Sequence, residues 1–198
     1  MAYISASSPV RVITVGIDEV GRGCLAGDCW AAAVAFTGPI PQGIRDSKAL
    51  SAKQRTALAQ AIRENALVGL GRASVAEIDR LNILRATLLA MRRAFDALPT
   101  NTYRVLVDGN QVPPLPCDDV SAVVGGDAHH VEIGAASIVA KVARDAEMDA
   151  LHAEFPEYGW ATNRAYGTPD HLEALRIHGP TPHHRMSFGP VSQPLLPF

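Results

Sequence analysis

Val12-Ile-Thr-Val-Gly-Ile17, followed without a break by Asp18-Glu19-Val20-Gly21-Arg22-Gly23, is the stretch that decides the fold. The apolar run is short and rich in β-branched residues, which predicts a buried strand over 10–17. Two adjacent carboxylates at the end of such a strand are costly unless paired, hydrogen-bonded or coordinated to a cation. A glycine-flanked arginine comes next, and a turn of that composition suits an approaching phosphate. Asp18-Glu19 alone reads equally well as a solvated acidic turn.

Working outward, the same context recurs. Tyr103-Arg-Val-Leu-Val107 predicts a second buried strand, ended by Asp108-Gly109. Asp127 follows the short apolar stretch Ala122-Val-Val124 and the pair Gly125-Gly126. Ligands of α/β proteins gather beyond the carboxyl ends of such strands. One acid there is a turn residue; three in one local setting favour a site. Carboxylates converging from separate strands suit Mg²⁺ or Mn²⁺, which prefer oxygen ligands. Two such ions, roughly 4 Å apart, activate water and stabilise the leaving oxygen in phosphodiester cleavage.

The rest of the chain predicts an α/β order. Cys29–Phe36 and Leu67–Ala73 read as strands, with a further strand near 121–124. Ser51 and Gln54 form a capping box for a helix running to about Asn65. Leu81, Leu84, Leu88, Met91, Phe95 and Leu98 step by three and four, predicting one amphipathic helix with a packing face. A long helix is expected from about Gly134 to Phe155, and a last one between the cap Thr168-Pro169 and Gly179. With 198 residues, 47% hydrophobic and 19% charged, the expectation is one domain over 1–198, with an irregular tail at about 190–198. A net charge of −2 means that any nucleic-acid partner is held by a local patch. Three cysteines without paired spacing argue against a disulfide framework or zinc site. No targeting or membrane-spanning pattern is present, so a cytoplasmic, monomeric protein is expected.

Taken in order, the motifs resemble those of the bacterial ribonuclease HII family, the type 2 ribonucleases H. The matching segments are Gly16-Ile-Asp-Glu-Val-Gly-Arg-Gly23, Asp46-Ser-Lys48, Val105-Leu-Val-Asp-Gly109 and Gly126-Asp127. Ala135-Ala-Ser-Ile-Val-Ala-Lys-Val142 with Arg144-Asp145, Tyr166-Gly-Thr168, His184-Arg185 and Ser187-Phe188 continue the series. The resemblance implies a ribonuclease H-like fold, a five-stranded mixed sheet flanked by helices. It implies Asp18, Glu19, Asp108 and Asp127 as catalytic, metal-binding acids for two Mg²⁺ or Mn²⁺ ions. Asp145 is the rival for the fourth place, but an intrahelical pair with Lys141 explains it.

By the same resemblance, the turn Gly21-Arg22-Gly23 approaches the ribose 2′-hydroxyl, and Tyr166 stacks on the next sugar. Ser47, Lys48, Ser137, Lys141 and Arg144 are the implied backbone contacts, with Arg164 and Arg185 extending the patch. The implied substrates are RNA/DNA hybrids and DNA duplexes containing ribonucleotides, cut 5′ to a lone ribonucleotide to leave 3′-hydroxyl and 5′-phosphate ends. Several positions depart from the family pattern. Cys24 stands for a usual proline, Asp28-Cys29 for proline-valine, and Gly125 and His129 for lysines. Asn163-Arg-Ala165 replaces a basic Lys-Gly stretch. A related two-metal nuclease, a hybrid-binding module and an enzyme for small phosphates are the alternatives; fold alone does not choose among them.

Overall fold

The computed structural model describes residues 12–44 and 50–193. Its centre is a five-stranded sheet in the order β3-β2-β1-β4-β5. The strands are β1 (Ile13–Val20), β2 (Cys29–Phe36), β3 (Ala66–Ala73), β4 (Tyr103–Asp108) and β5 (Val120–Val123). β1 pairs antiparallel with β2 and parallel with β4, so the sheet is mixed, as expected. The helices are α1 (Ala52–Asn65), α2 (Val75–Leu81), α3 (Ile83–Asp96), α4 (Val131–Glu154), α5 (Trp160–Asn163), α6 (Pro169–His178) and α7 (Gly189–Ser192).

Alternation along the strands separates two cores. Val15, Ile17, Val105 and Val107 pack with Ala86, Ala90, Ala94 and Phe95 of α3 on one face. On the other face, Ala32 and Val34 meet Ile62 of α1 and Ile138 and Val139 of α4. Small residues let the helices come close. A Cβ at Gly16 would lie 2.1 Å from the carbonyl carbon of Glu132, so the first turn of α4 rests directly on the central strand.

Four features differ from the sequence expectations. β1 begins at Ile13 and runs on to Val20, because the hairpin with β2 continues through Asp18↔Ala32, Glu19↔Ala31 and Val20↔Trp30. The acids therefore lie within the strand's last turn of pleat, not beyond it. The helix expected across Leu81–Leu98 is two helices. Asn82, at φ 71°, breaks them, donating its N–H to Ile78 O while its side chain accepts from Arg85 N. With ψ at 163° this is an extended positive-φ conformation that side chains rarely adopt, held here by the two hydrogen bonds. α4 starts at Val131, earlier than the apolar pattern suggests, and residues 189–192 form a short helix where an irregular tail is expected. Residues 194–198 lie outside the described residues.

Candidate active site

Strand register brings the first acids together. Ile17 is paired with Val107, so Asp18 and Asp108 sit one step further along adjacent parallel strands, about 4.8 Å apart in the pairing direction. Both are out of phase with the residues facing α3, so both face α4. Glu19 follows on β1, and Asp127 arrives on a one-turn 3₁₀ helix, Gly126–Ala128. That turn is docked by Gly126 N–H, which donates to Asp108 Oδ1 at 2.7 Å. Ser137 of α4 hydrogen-bonds Asp18 from the opposite wall.

These groups line one open cleft of about 330 Å³, together with Gly21, Arg22, Gly23, Lys141, Tyr166 and Arg55. Burial pushes the Asp18 carboxyl well above the usual carboxylate range, and the neighbouring Glu19 and Asp108 push it further. Its bonds from Ser137 and the Glu19 N–H pull the other way without prevailing. Glu19 is also raised, chiefly by burial, although Arg22 stands 3.4 Å from it and opposes the shift. A cluster of this kind holds more negative charge than the fold neutralises.

The turn after β1 is built differently from what its glycines suggest. Gly21 has φ +96°, and a Cβ there would meet Arg144 Nε at 2.3 Å. Glycine is required at 21 by backbone conformation and by the arginine behind it. At Gly23 the space is open, with the Tyr166 ring 3.7 Å from an added Cβ. Tyr166 is about half exposed, and its hydroxyl interacts with the buried Cys24 thiol.

Behind Tyr166 lies a fully buried polar network. Thr181 N–H donates to His184 Nδ1 at 2.9 Å, so the His184 proton is on Nε2. His184 Nε2 and Trp160 Nε1 then both donate to His171 Nε2, each at 3.1 Å. The remaining His171 proton, on Nδ1, is donated to the Tyr166 carbonyl at 2.9 Å. Burial lowers the pKa of both rings, and His184, also beside His171 and His183, falls to about 4. The network is closed only when both are neutral.

Comparison with known proteins completes this picture. Residues 15–191 match the family model described as Ribonuclease HII. The chain belongs to the ribonuclease HII family. A ribonuclease HII from Paramagnetospirillum magneticum is 54% identical over 189 residues, covering 93% of this chain and 94% of that one. One from Bordetella pertussis is 52% identical over 186 residues, covering 93% and 92%. Among solved structures, the ribonuclease H2 of Pyrococcus horikoshii shares the fold, with a TM-score of 0.75, 24% identity, and 91% and 96% coverage. Ribonucleases HII are metal-dependent nucleases that hydrolyse RNA in RNA/DNA hybrids, and this chain is an enzyme of that class.

Within this ribonuclease HII the four acids, the turn 21–23, Ser137, Lys141 and Tyr166 all reach the cleft. Lys141 is held by Asp145 at 2.6 Å, the intrahelical pair expected for that acid. Arg144 does not reach it. Its side chain has no exposed surface and donates to the carbonyls of Arg164 and Ala26, at 3.1 and 3.2 Å, so it braces the turn from behind. Arg185 is likewise buried and adds nothing to a surface patch. Arg164 is half-buried and paired with Asp145 and Asp149. Ser47 and Lys48 lie outside the described residues. Arg55, on the first turn of α1, lines the cleft as well, and nothing in its local sequence signals this.

The donor set suits a hard divalent cation: four carboxylates, all oxygen, with Asp18 raised by burial first and by its neighbours' charge second. Among the described residues no three acidic, histidine or cysteine side chains are already gathered closely enough to hold an ion. Asp108 Oδ1 accepts from Gly126 N–H and Asp18 Oδ1 from Glu19 N–H, at 2.7 Å each. Among the described residues no helix is long and apolar enough to cross a membrane.

Proposed function

We propose that this ribonuclease HII incises DNA duplexes 5′ to a single embedded ribonucleotide, as well as cutting the RNA strand of hybrids. The reading is of one catalytic domain, acting as a monomer in the cytoplasm. The observation that carries it is the meeting, in one cleft, of four acids with an open glycine turn and an exposed tyrosine. Asp18, Glu19, Asp108 and Asp127 would hold two Mg²⁺ or Mn²⁺ ions. When bound, these supply Lewis-acid stabilisation of the phosphate and a nucleophilic water, giving 3′-hydroxyl and 5′-phosphate ends.

The chain's own residues do the choosing. The turn Gly21-Arg22-Gly23 offers main-chain groups to the ribose 2′-hydroxyl, the atom that separates RNA from DNA. Tyr166, across from Gly23, offers a flat face to the neighbouring sugar and limits what fits there. Lys141 and Ser137 line the wall of α4 and orient the backbone, with Ser47 and Lys48 as further contacts. Arg22 neutralises phosphate charge at the rim once it leaves Glu19.

A labelled duplex with one ribonucleotide, beside an all-DNA duplex, tests this in Mg²⁺, Mn²⁺ or chelator. Expected is metal-dependent incision on the 5′ side of the ribonucleotide with the DNA control intact. Cutting confined to long hybrids would remove the junction reading and keep the family's general activity.

A further inference from the structure

Arg185 is fully buried, and no carboxylate lies within ion-pair distance of it among the described residues. Leaving a guanidinium buried without a counter-ion is costly unless hydrogen bonds compensate. All of its side-chain hydrogen bonds go to main-chain oxygens of one loop. Nε and Nη2 donate to Gly27 O at 3.0 and 2.9 Å, and Nη2 also to Asp28 O at 3.3 Å. Nη1 donates to Arg22 O at 3.1 Å. A single rigid fork thus ties the start of the turn to its end, with the Phe188 ring 5.2 Å beneath it. The flanking backbone repeats the attachment: Arg185 N–H donates to Leu25 O at 2.8 Å, and Gly27 N–H to His183 O at 2.9 Å.

The bond to Arg22 O has a geometric consequence. In a trans peptide the C=O and the following N–H point in opposite directions, and none of the described peptides is cis. Drawing the Arg22 carbonyl inward therefore turns the Gly23 N–H outward, on the exposed side that faces the cleft. We propose that Arg185 is a positioning residue for ribose recognition, aiming the Gly23 amide at the 2′-oxygen through its grip on the Arg22 carbonyl. This rests on the reading of the Gly21-Arg22-Gly23 turn given above. Arg185 touches neither substrate nor cation; it acts by fixing one peptide plane.

Arg185→Lys keeps the charge but removes the fork, and it is tested in an Asp108→Asn background so that bound duplex stays uncut. Binding in Mg²⁺ is measured to a duplex with one ribonucleotide and to the same duplex in all-DNA form, at a temperature where circular dichroism shows both proteins folded. The expected result is an about tenfold loss of the ribo-to-deoxy affinity ratio, the worth of about one hydrogen bond. All-DNA affinity should hold within about twofold, a split that a residue supporting only the core would not produce. A ratio unchanged within about twofold overturns the proposal. If the Asp108→Asn parent itself does not discriminate, the reading of the turn fails first, and the proposal with it. Should Arg185→Lys not fold, Phe188→Leu decides, since it loosens the guanidinium without removing its donors. A loss of about threefold in the ratio supports the proposal, and no change overturns it.

Discussion

The acid cleft and the histidine network behind Tyr166 both bury titratable side chains, and they do so to opposite ends. In the network every polar hydrogen finds an acceptor inside the fold: Thr181 to His184, His184 and Trp160 to His171, His171 to Tyr166. In the cleft three carboxylates face one another, with one serine, two backbone N–H groups and the Arg22 guanidinium at 3.4 Å from Glu19 against them. The first region is satisfied; in the second, burial and mutual repulsion together leave Asp18 and Glu19 raised. Burial alone does not mark a functional group. What marks it is burial whose charge the protein leaves unbalanced.

Four substitutions or conditions break or sharpen that contrast. The largest effect is expected at Asp108→Asn, which keeps an acceptor for Gly126 N–H but removes a charge. Cleavage should fall by roughly three orders of magnitude or more, with the circular dichroism spectrum unchanged; near-normal turnover by the folded variant would remove Asp108 from the site. Acidification acts on the other region. His184 has a folded-state pKa of about 4 against about 6.5 when unfolded. Between those values the unfolded chain takes up a proton that the native one refuses, so stability is present above pH 6.5 and lost as pH falls toward 4. The slope approaches about 1.4 kcal/mol per pH unit. Urea melts at pH 7, 6 and 5 measure it, and a His184→Gln protein should show a flatter acid limb.

Smaller still is the effect of Asp18→Asn on the cation-free protein. Removing one of the repelling charges should raise stability by about 1 kcal/mol while activity is lost. Mn²⁺ should raise the Tm of the parent and not of the variant; a destabilised Asp18→Asn protein would show that the cleft is not strained. The smallest is Ala165→Gly. Ala165 sits at φ 64°, a region disfavoured for alanine by about 1–2 kcal/mol. Glycine gives back part of this through its freer unfolded chain. A gain of about 0.5 kcal/mol is expected in a urea melt, and a loss would mean that the buried methyl contributes more by packing than the backbone conformation costs.

Much of the site was legible because it is written in local grammar. Apolar runs ending in acids located β1, β4 and their carboxylates, and the motif series supplied the turn and Tyr166. What escaped depended on direction. Ser137, Lys141 and Arg144 share a helix side by spacing, yet the first two line the cleft while Arg144 is buried behind Gly21. A step of three residues fixes an angle around the helix but not what stands opposite. Arg185 misled in the same way, because a sequence shows its charge and not the carbonyls that absorb it. The break at Asn82 escaped because apolar periodicity runs through it, and only its positive φ interrupts the helix. Asp28, a departure from the family pattern, also gains a role only in space. Its carboxylate accepts from Val75 N–H and pairs with Arg72, fastening the end of the turn to α2 and β3.

The brace on that turn also sets an order in time. Arg185 and Gly27 are separated by 158 positions, whereas all four acids lie within the first 127 residues. A chain emerging from the ribosome N-terminus first has produced all four acids of the cleft well before it produces the guanidinium that grips the turn. The acids of the cleft are encoded early and the brace on its glycine turn late, so that turn takes its final shape only after residue 185 has been made.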